Sequence, residues 1–171
     1  MEWPHSSVVG AALTALKSQI ETILGARVDT AAQRADVNRA IYNSGGLAIK
    51  VGTSALAKTV NTIYGQIGPL LFSKAAADMA ALSGVVVHAT FNVFVFMFDG
   101  TTLTSAMGTA GATLAAVVFP VVPTTKAVIG FVIINPTGTG DFTGGTTPLD
   151  DATSVPNAVY VNTVGTFVQP V

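Results

Sequence analysis

The fold is decided by the stretch VVVHATFNVFVFMFDG, residues 85–100, because its second half is apolar on both sides of an extended chain. Successive side chains of a strand point to opposite faces of the sheet. One face here carries Phe91, Val93, Val95 and Met97, and the other carries Asn92, Phe94, Phe96 and Phe98. An antiparallel sheet normally turns one face to water, so this strand is either central in a sandwich or covered by another subunit. We favour the first position and predict that the strand belongs to the core.

Around this stretch, residues 47–171 are rich in β-branched and aromatic residues separated by Gly, Asn, Pro and Asp, a pattern typical of strands and turns. Strands are predicted at residues 45–52, 59–68, 69–76, 114–121, 127–134 and 158–162. The second and third of these form a hairpin around residues 65–69, and residues 136–151 are rich in turn formers. About six to eight strands at this spacing indicate a mainly β body, an antiparallel sandwich or a barrel-like fold.

Residues 1–46 are predicted to form a helical arm that precedes this β body. Its apolar residues recur at steps of four and three, which places them on one face of a helix. They are Val9, Leu13, Leu16, Ile20 and Ile23. The same spacing occurs in coiled coils, but it lasts little more than two heptads, so packing within the chain and formation of a dimer or trimer both stay open. In either case we expect these five residues to form an interface.

A second helix is predicted over residues 30–42, where Thr30 and Gln33 have the spacing of a capping box. Its apolar face is thin, which is typical of a helix on a surface or between two bodies. The Ser-Gly-Gly step at residues 44–46 then marks the boundary between the arm and the body.

The charge content indicates that this chain buries surface against partners. Soluble domains are about one quarter charged, whereas this chain is 10% charged and 50% hydrophobic. After Asp78 it contains one cation, Lys126, and four carboxylates. The net charge of −1 argues against nucleic acid as a partner, which normally requires clustered Lys and Arg. Residues 100–125 are uncharged, but their glycines, prolines and hydroxyl side chains argue against a membrane span.

Few residues suited to catalysis or ligand binding are present, so we expect no enzymatic activity, no cofactor, no metal and no small-molecule substrate. The chain has no cysteine, and its two histidines, His5 and His88, lack the spacing of a zinc site. Asp150 and Asp151 are adjacent, so in a strand they would point to opposite faces, and we interpret them as turn or cap residues. Phosphate-binding glycine motifs are missing as well.

Two tracts resemble virion structural proteins of tailed bacteriophages. The first is GGLAIKVGTSALAKTVNTIYGQIGPLLFSKAA, residues 45–76, and the second is VPTTKAVIGFVIINPTGTGDFTGGTTPLDDA, residues 122–152. The second tract is followed by a strand that bears a tyrosine, at residues 158–162, as in that family. The resemblance implies a structural role on the virion and identifies no functional residue. The first 44 residues have no counterpart in it.

The resulting hypothesis is a capsid decoration or cement subunit on the surface of the phage head. Such a subunit would be a homo-oligomer, with copies of itself and the major capsid protein as partners. The alternatives are a ring component of the neck or tail and a head-fibre component that binds a receptor or glycan. A glycan-binding module normally exposes aromatic residues in loops, whereas most phenylalanines here lie in predicted strands, which argues against the fibre.

Overall fold

The apolar stretch forms the centre of a four-stranded sheet. A computed structural model describes residues 16–22, 38–151, 153–155 and 158–168. The described strands are β1 Arg39–Ile41, β2 Leu47–Ile49, β3 Ala57–Thr59, β4 Ile63–Ile67, β5 Leu70–Lys74, β6 Val85–Val86, β7 Asn92–Phe98, β8 Leu103–Met107, β9 Ala127–Ile134, β10 Phe142–Thr143, β11 Val159–Asn162 and β12 Gly165–Thr166. A 3₁₀ turn occupies Leu114–Ala116, and residues 16–22 form helix α1.

The strands form two larger antiparallel sheets and two small ones. The first sheet has the order β12-β1-β4-β5, and the second has the order β11-β9-β7-β8. β1 and β4 lie against β9, which brings the two sheets face to face. The small pairs are β2 with β3 and β6 with β10. This arrangement confirms the prediction of a mainly β, antiparallel, sandwich-like body.

Strand β7 contributes to two separate apolar clusters, one on each face. All seven of its residues are buried. Phe94, Phe96 and Phe98 point between the two sheets and belong to the main core. Val93, Val95 and Met97 point to the other side, where they form a second cluster with Val128. The prediction that β7 is a central core strand is confirmed.

The main core is built from both sheets. Ile41 and Ile63 of the first sheet meet the β7 phenylalanines, and Phe94 packs edge-on against Phe142 with ring centroids 5.9 Å apart. A β-bulge in β9 helps to fill this space. Phe96 of β7 pairs with Gly130 and Met97 pairs with Val128, so Ile129 is the extra residue of the bulge. Its side chain reaches the core together with that of Val132.

Several predicted strands are confirmed with only small shifts at their ends. β9 occupies Ala127–Ile134 as predicted, and β11 occupies Val159–Asn162 within the predicted 158–162. β4 and β5 form the predicted hairpin and are joined by a two-residue turn. Gly68 has a φ of +60° in this turn, the conformation that a two-residue hairpin turn requires at its first position and that glycine adopts without strain.

The predicted strand at residues 114–121 is wrong. These residues form the 3₁₀ turn and a loop, and together with their neighbours we call residues 109–122 the strap. Val117, Phe119 and Val122 of the strap pack against the second cluster of β7. Residues 114–121 are therefore as apolar as a strand because they form a loop that covers the second sheet. The strand beside β7 is instead β8, which the sequence did not predict.

The predicted helix at residues 30–42 is wrong where the structure describes it. Residues 30–37 lie outside the described residues, and Arg39–Ile41 form β1, paired with β4 on one side and with β12 on the other. The reason is burial, since Ile41 is 1% exposed in the main core. The chain divides into two compact units, residues 1–35 and residues 36–171, so β1 belongs to the unit that holds the β sheets.

Replacing Phe94 by Ala should lower the free energy of unfolding by about 3–5 kcal/mol, because the side chain is fully buried and its removal leaves a cavity. Urea denaturation measures this change. Val121→Ala is the control, since Val121 is largely exposed and its truncation should change the value by less than about 0.5 kcal/mol. A loss below about 1 kcal/mol for Phe94→Ala would contradict the assignment of this residue to the core.

Candidate interaction surfaces

Helix α1 carries part of the predicted apolar stripe. Leu16 and Ile20 are one helical turn apart and therefore share a face, and they are 53% and 47% exposed. Lys17 and Glu21 form an exposed ion pair at 3.8 Å beside them. Val9, Leu13 and Ile23 lie outside the described residues. The two described members of the stripe are thus placed together on the helix surface, and their role as an interface stays a prediction.

The outer face of the second sheet is covered by the chain itself. Phe119 of the strap packs edge-on against Phe131 of β9, with ring centroids 5.1 Å apart. Phe167, which follows β12, packs against both rings at 5.9 and 6.5 Å. A Cβ at Gly108, where the strap leaves β8, would lie 2.5 Å from the carbonyl oxygen of Val118. The backbone of the strap at Val118 therefore lies directly against Gly108, at a distance that only glycine allows. This face is therefore closed by aromatic packing.

The outer face of the first sheet presents uncovered side chains of low polarity. Ile41 is buried and lies opposite Gly65, so the next position places Tyr42 outward and opposite Tyr64. Both tyrosines are about half exposed. Gln66 faces the same side, accepts a hydrogen bond from the Tyr42 hydroxyl, and pairs across the sheet with Leu71, which is 75% exposed. We call Tyr42, Tyr64, Gln66 and Leu71 the tyrosine face.

The two cations of the first sheet do not lie on the tyrosine face. Lys74 pairs with the buried Ile63, and its ammonium lies 5.8 Å from the ring centroid of Phe98 in the core. Arg39 donates a hydrogen bond to the carbonyl oxygen of Pro123 at 3.0 Å, at the end of the strap. The outward positions of the four strands of this sheet are uncharged as a result. Charged side chains are one of the usual devices that keep exposed sheets apart.

The sequence missed the tyrosine face, although part of it was signalled. The alternation in IYGQI, residues 63–67, places Tyr64 and Gln66 on one side of the predicted hairpin arm. The sequence places Tyr42 in the predicted helix 30–42, so it gives no sign that Tyr42 lies beside Tyr64. Its place beside Tyr64 depends on the pairing of β1 with β4, which local sequence does not reveal.

Two carboxylates, Asp99 and Asp151, stabilise turns. Asp99 accepts hydrogen bonds from the backbone N–H groups of Thr102 and Thr101 at 2.6 and 2.9 Å, and these bonds lower the pKa of Asp99 below its usual value. A bond from the N–H of Thr153 at 2.8 Å lowers the pKa of Asp151 in the same way. The interpretation of Asp151 as a turn residue is therefore confirmed.

Asp150 and Asp141 each tie one loop to another segment of the chain. Both carboxylate oxygens of Asp150 lie 3.0 Å from the backbone nitrogen of Thr53, whose N–H they accept. Asp141 accepts the backbone N–H of His88 at 2.8 Å. His88 is exposed and lies after β6 rather than inside a strand. Together with the turns of Asp99 and Asp151, these bonds give four carboxylates a structural purpose.

Among the described residues, Tyr160 has the pKa that departs most from its ordinary value. Burial, with a smaller contribution from Asp150, raises the pKa of Tyr160 to about 12. Its hydroxyl is buried without a hydrogen-bond partner among the described residues, so the phenol stays neutral at physiological pH. No group of three or more His, Cys, Asp or Glu in the described part of the chain is arranged to hold a metal ion. Within the same part, no helix is both long and apolar enough to span a bilayer.

The described body is thus a mainly β, antiparallel sandwich with one outer face closed by its own strap and the other open. Comparisons with protein-family models, with curated proteins and with solved structures found no match.

The double variant Asp99→Asn/Asp151→Asn should make thermal stability less dependent on acid pH. A carboxylate whose pKa is lower in the folded state stabilises the fold fully above its unfolded pKa, which is 3.8 here, and loses that effect as the pH falls through the folded pKa. Asparagine keeps an oxygen that accepts the turn hydrogen bonds but does not titrate. The Tm of the wild type should therefore fall more steeply below about pH 4 than the Tm of the variant. Parallel Tm profiles would contradict this role of the two carboxylates.

Proposed function

We propose that this chain is a structural subunit of a tailed-bacteriophage particle, and specifically a decoration or cement subunit that stabilises the head. In this role it lies on the outer surface of the virion, contacts other copies of itself and the major capsid protein, and catalyses no reaction. The resemblance of residues 45–76 and 122–152 to phage virion proteins supports the class of protein. The exposed apolar surfaces described above support a function that depends on contact.

The observation that carries the proposal is the uncharged tyrosine face, left open on a body that closes its other outer face. A cement subunit acts by burying surface between neighbouring subunits, which gains about 25 cal/mol for each Å² of apolar area removed from water. Leu71 and the two half-exposed tyrosines provide area of this kind along adjacent strands of the first sheet. A small gain at each contact is multiplied by the number of copies on a shell.

The two tracts that resemble phage virion proteins also include most residues of the tyrosine face and the backbone group that binds Arg39. Residues 45–76 contain the β2–β3 pair and the β4–β5 hairpin, and the hairpin supplies Tyr64, Gln66 and Leu71. Residues 122–152 contain β9, β10 and the last residue of the strap. They also contain Pro123, whose carbonyl oxygen accepts a hydrogen bond from Arg39. The shared pattern therefore lies in strands and turns that shape a surface.

One observation favours the receptor-binding alternative. Tyr42 and Tyr64 lie side by side with a hydrogen-bonded amide, Gln66, and aromatic rings next to polar groups are suited to contact with sugars as well as with proteins. A glycan array probed with the purified chain separates the two functions. Binding that is lost in Tyr64→Ala would favour a head-fibre component, whereas a cement subunit should bind no glycan.

The copy number in purified particles tests the proposed function most directly. Quantitative gel densitometry against the major capsid protein should give hundreds of copies for each particle if the chain covers the head. A neck or tail component forms a closed ring of about six or twelve copies. A ring-sized number, or absence of the chain from purified particles, would contradict the proposal.

Replacing Leu16 and Ile20 of helix α1 by Asp should remove the chain from particles or dissociate its oligomer, because both substitutions place charges on the predicted interface. Particle occupancy by densitometry and mass by light scattering measure the two effects. Ser18→Asp/Thr22→Asp is the matched control, since it adds the same charge at the same spacing on the opposite side of the helix. If both double variants leave occupancy and mass unchanged, the arm is not an interface.

A further inference from the structure

Three of the four outer edges of the larger sheets are blocked or short. At β8, the hydroxyl of Ser105 donates a hydrogen bond to the carbonyl oxygen of Ala81 at 2.8 Å, so the segment around Ala81 lies against this edge. At β11, the side-chain oxygen of Asn162 accepts the N–H of Leu47 at 2.8 Å, so β2 lies beside it. β12 is only two residues long. Covered and very short edges are common protections against unwanted pairing.

Strand β5 is different, because five residues run along an uncovered edge. Leu70 and Leu71 are 72% and 75% exposed. Neither Leu71 nor Ser73 carries a charge, and Pro69 lies in the turn before the strand rather than within it. Lys74, the only charged residue of β5, is turned over the ring of Phe98. Among the residues that the structure describes, this edge therefore has no charged side chain, proline or covering segment of the kind that normally prevents pairing.

The direction of the backbone groups on β5 follows from the bonds of β4. The carbonyl of Tyr64 accepts the N–H of Tyr42, so the backbone groups of Tyr64 point towards β1. Those of Gly65 then point towards β5, where Gly65 pairs with Phe72. Because these directions alternate along a strand, the N–H and C=O groups of Leu71 and Ser73 point away from the sheet. Two donors and two acceptors are thus presented at the open edge.

We propose that β5 pairs with β5 of a second copy of this chain, antiparallel across a two-fold axis at Phe72. Leu71 of each copy then lies opposite Ser73 of the other, and these two pairs exchange four backbone hydrogen bonds. Such pairing joins the two four-stranded sheets into one sheet of eight strands. A two-fold contact of this kind uses the same patch on both copies, so the edge needs only to be complementary to itself.

The register is set by the turn. If the axis passed through Leu71 instead, Ser73 would lie opposite Pro69, which has no N–H to donate. If it passed through Ser73, Leu71 would lie opposite Ala75, which lies beyond the strand. Pairing across Phe72 is the arrangement that uses all five residues of β5 in both copies.

A second copy fits this edge in charge as well as in geometry. With the axis at Phe72, Lys74 lies opposite Leu70 of the other copy, so the two ammonium groups lie at opposite ends of the pair. The tyrosine faces of the two copies become continuous and bring no like charges together. The exposed side chains of β5 and of these faces supply area towards the roughly 800 Å² for each partner that a standard interface buries. The proposal depends on the body alone and is independent of a role in phage particles.

Cysteine cross-linking of the full-length chain tests both the contact and its register, because the chain has no native cysteine. Leu71→Cys and Ser73→Cys change exposed side chains, and opposite residues of a hydrogen-bonded pair have Cα atoms about 5.5 Å apart, within the range of a disulfide. Under mild oxidation, a mixture of the two variants should form a mixed disulfide dimer. Each variant alone should not, since identical positions lie about 7–8 Å apart on the diagonal.

Sedimentation equilibrium of the uncross-linked chain provides the second measurement. Ser73→Pro removes an N–H that points away from β4, so the sheet within each copy keeps its bonds and the dimer should dissociate at least tenfold more readily. Ser73→Ala keeps the N–H and should leave the dissociation constant unchanged. Three outcomes would overturn the proposal: a wild-type chain that is monomeric at all concentrations, a cross-link between identical positions, or association through β5 only with a different protein.

Discussion

The structure depends on one constraint, that strand β7 is apolar on both faces and must be covered twice. Its phenylalanines require a layer on one side, and the first sheet supplies that layer through Ile41 and Ile63. Its valines and methionine require another layer on the opposite side, and the strap and Phe167 supply it. Burial of apolar area is the main favourable contribution to folding, so covering the two faces of β7 accounts for the positions of the first sheet, the strap and Phe167.

This constraint also explains why the two outer faces differ. The strap and the segment after β12 both lie on the second sheet, where β7 needs them. Nothing comparable lies over the tyrosine face in the described part of the chain, since Tyr64 and Leu71 belong to a sheet whose inner side already meets the core. The cations follow the same division, because Arg39 reaches the end of the strap and Lys74 turns towards Phe98. What remains outside, in the described part of the chain, is a sheet face without charged side chains that has β5 at its open edge.

The parts that could be predicted from sequence are those whose signal is local. β7 and β9 are long runs of strand formers, and the β4–β5 hairpin has a glycine at the position that its turn requires. β8 could not be predicted in this way, because the apolar and polar residues of Leu103–Met107 do not alternate and all five are only partly buried at the edge of a sheet. The strap has the composition of a strand, since a loop that covers apolar residues needs apolar residues of its own.

Other features depend on contacts between distant residues. β1 is a strand because Ile41 is buried and because Ala40 pairs with Thr166 near the other end of the chain. The sequence does not reveal that pairing, and the capping-box spacing of Thr30 and Gln33 favours a helix there instead. The same holds for the candidate surfaces. The stripe of Leu16 and Ile20 follows from periodicity within one helix, whereas the tyrosine face exists only after β1 and β4 pair.

Native-state hydrogen exchange of the amides of β7 tests the central claim most directly. If both layers depend on this strand, its amides should exchange only through global unfolding, with an opening free energy equal to the free energy of unfolding of the body. The amides of the strap should open at lower free energy, since the strap is a loop on one face. Exchange of the β7 amides through a local opening, while β4 stays protected, would contradict the account.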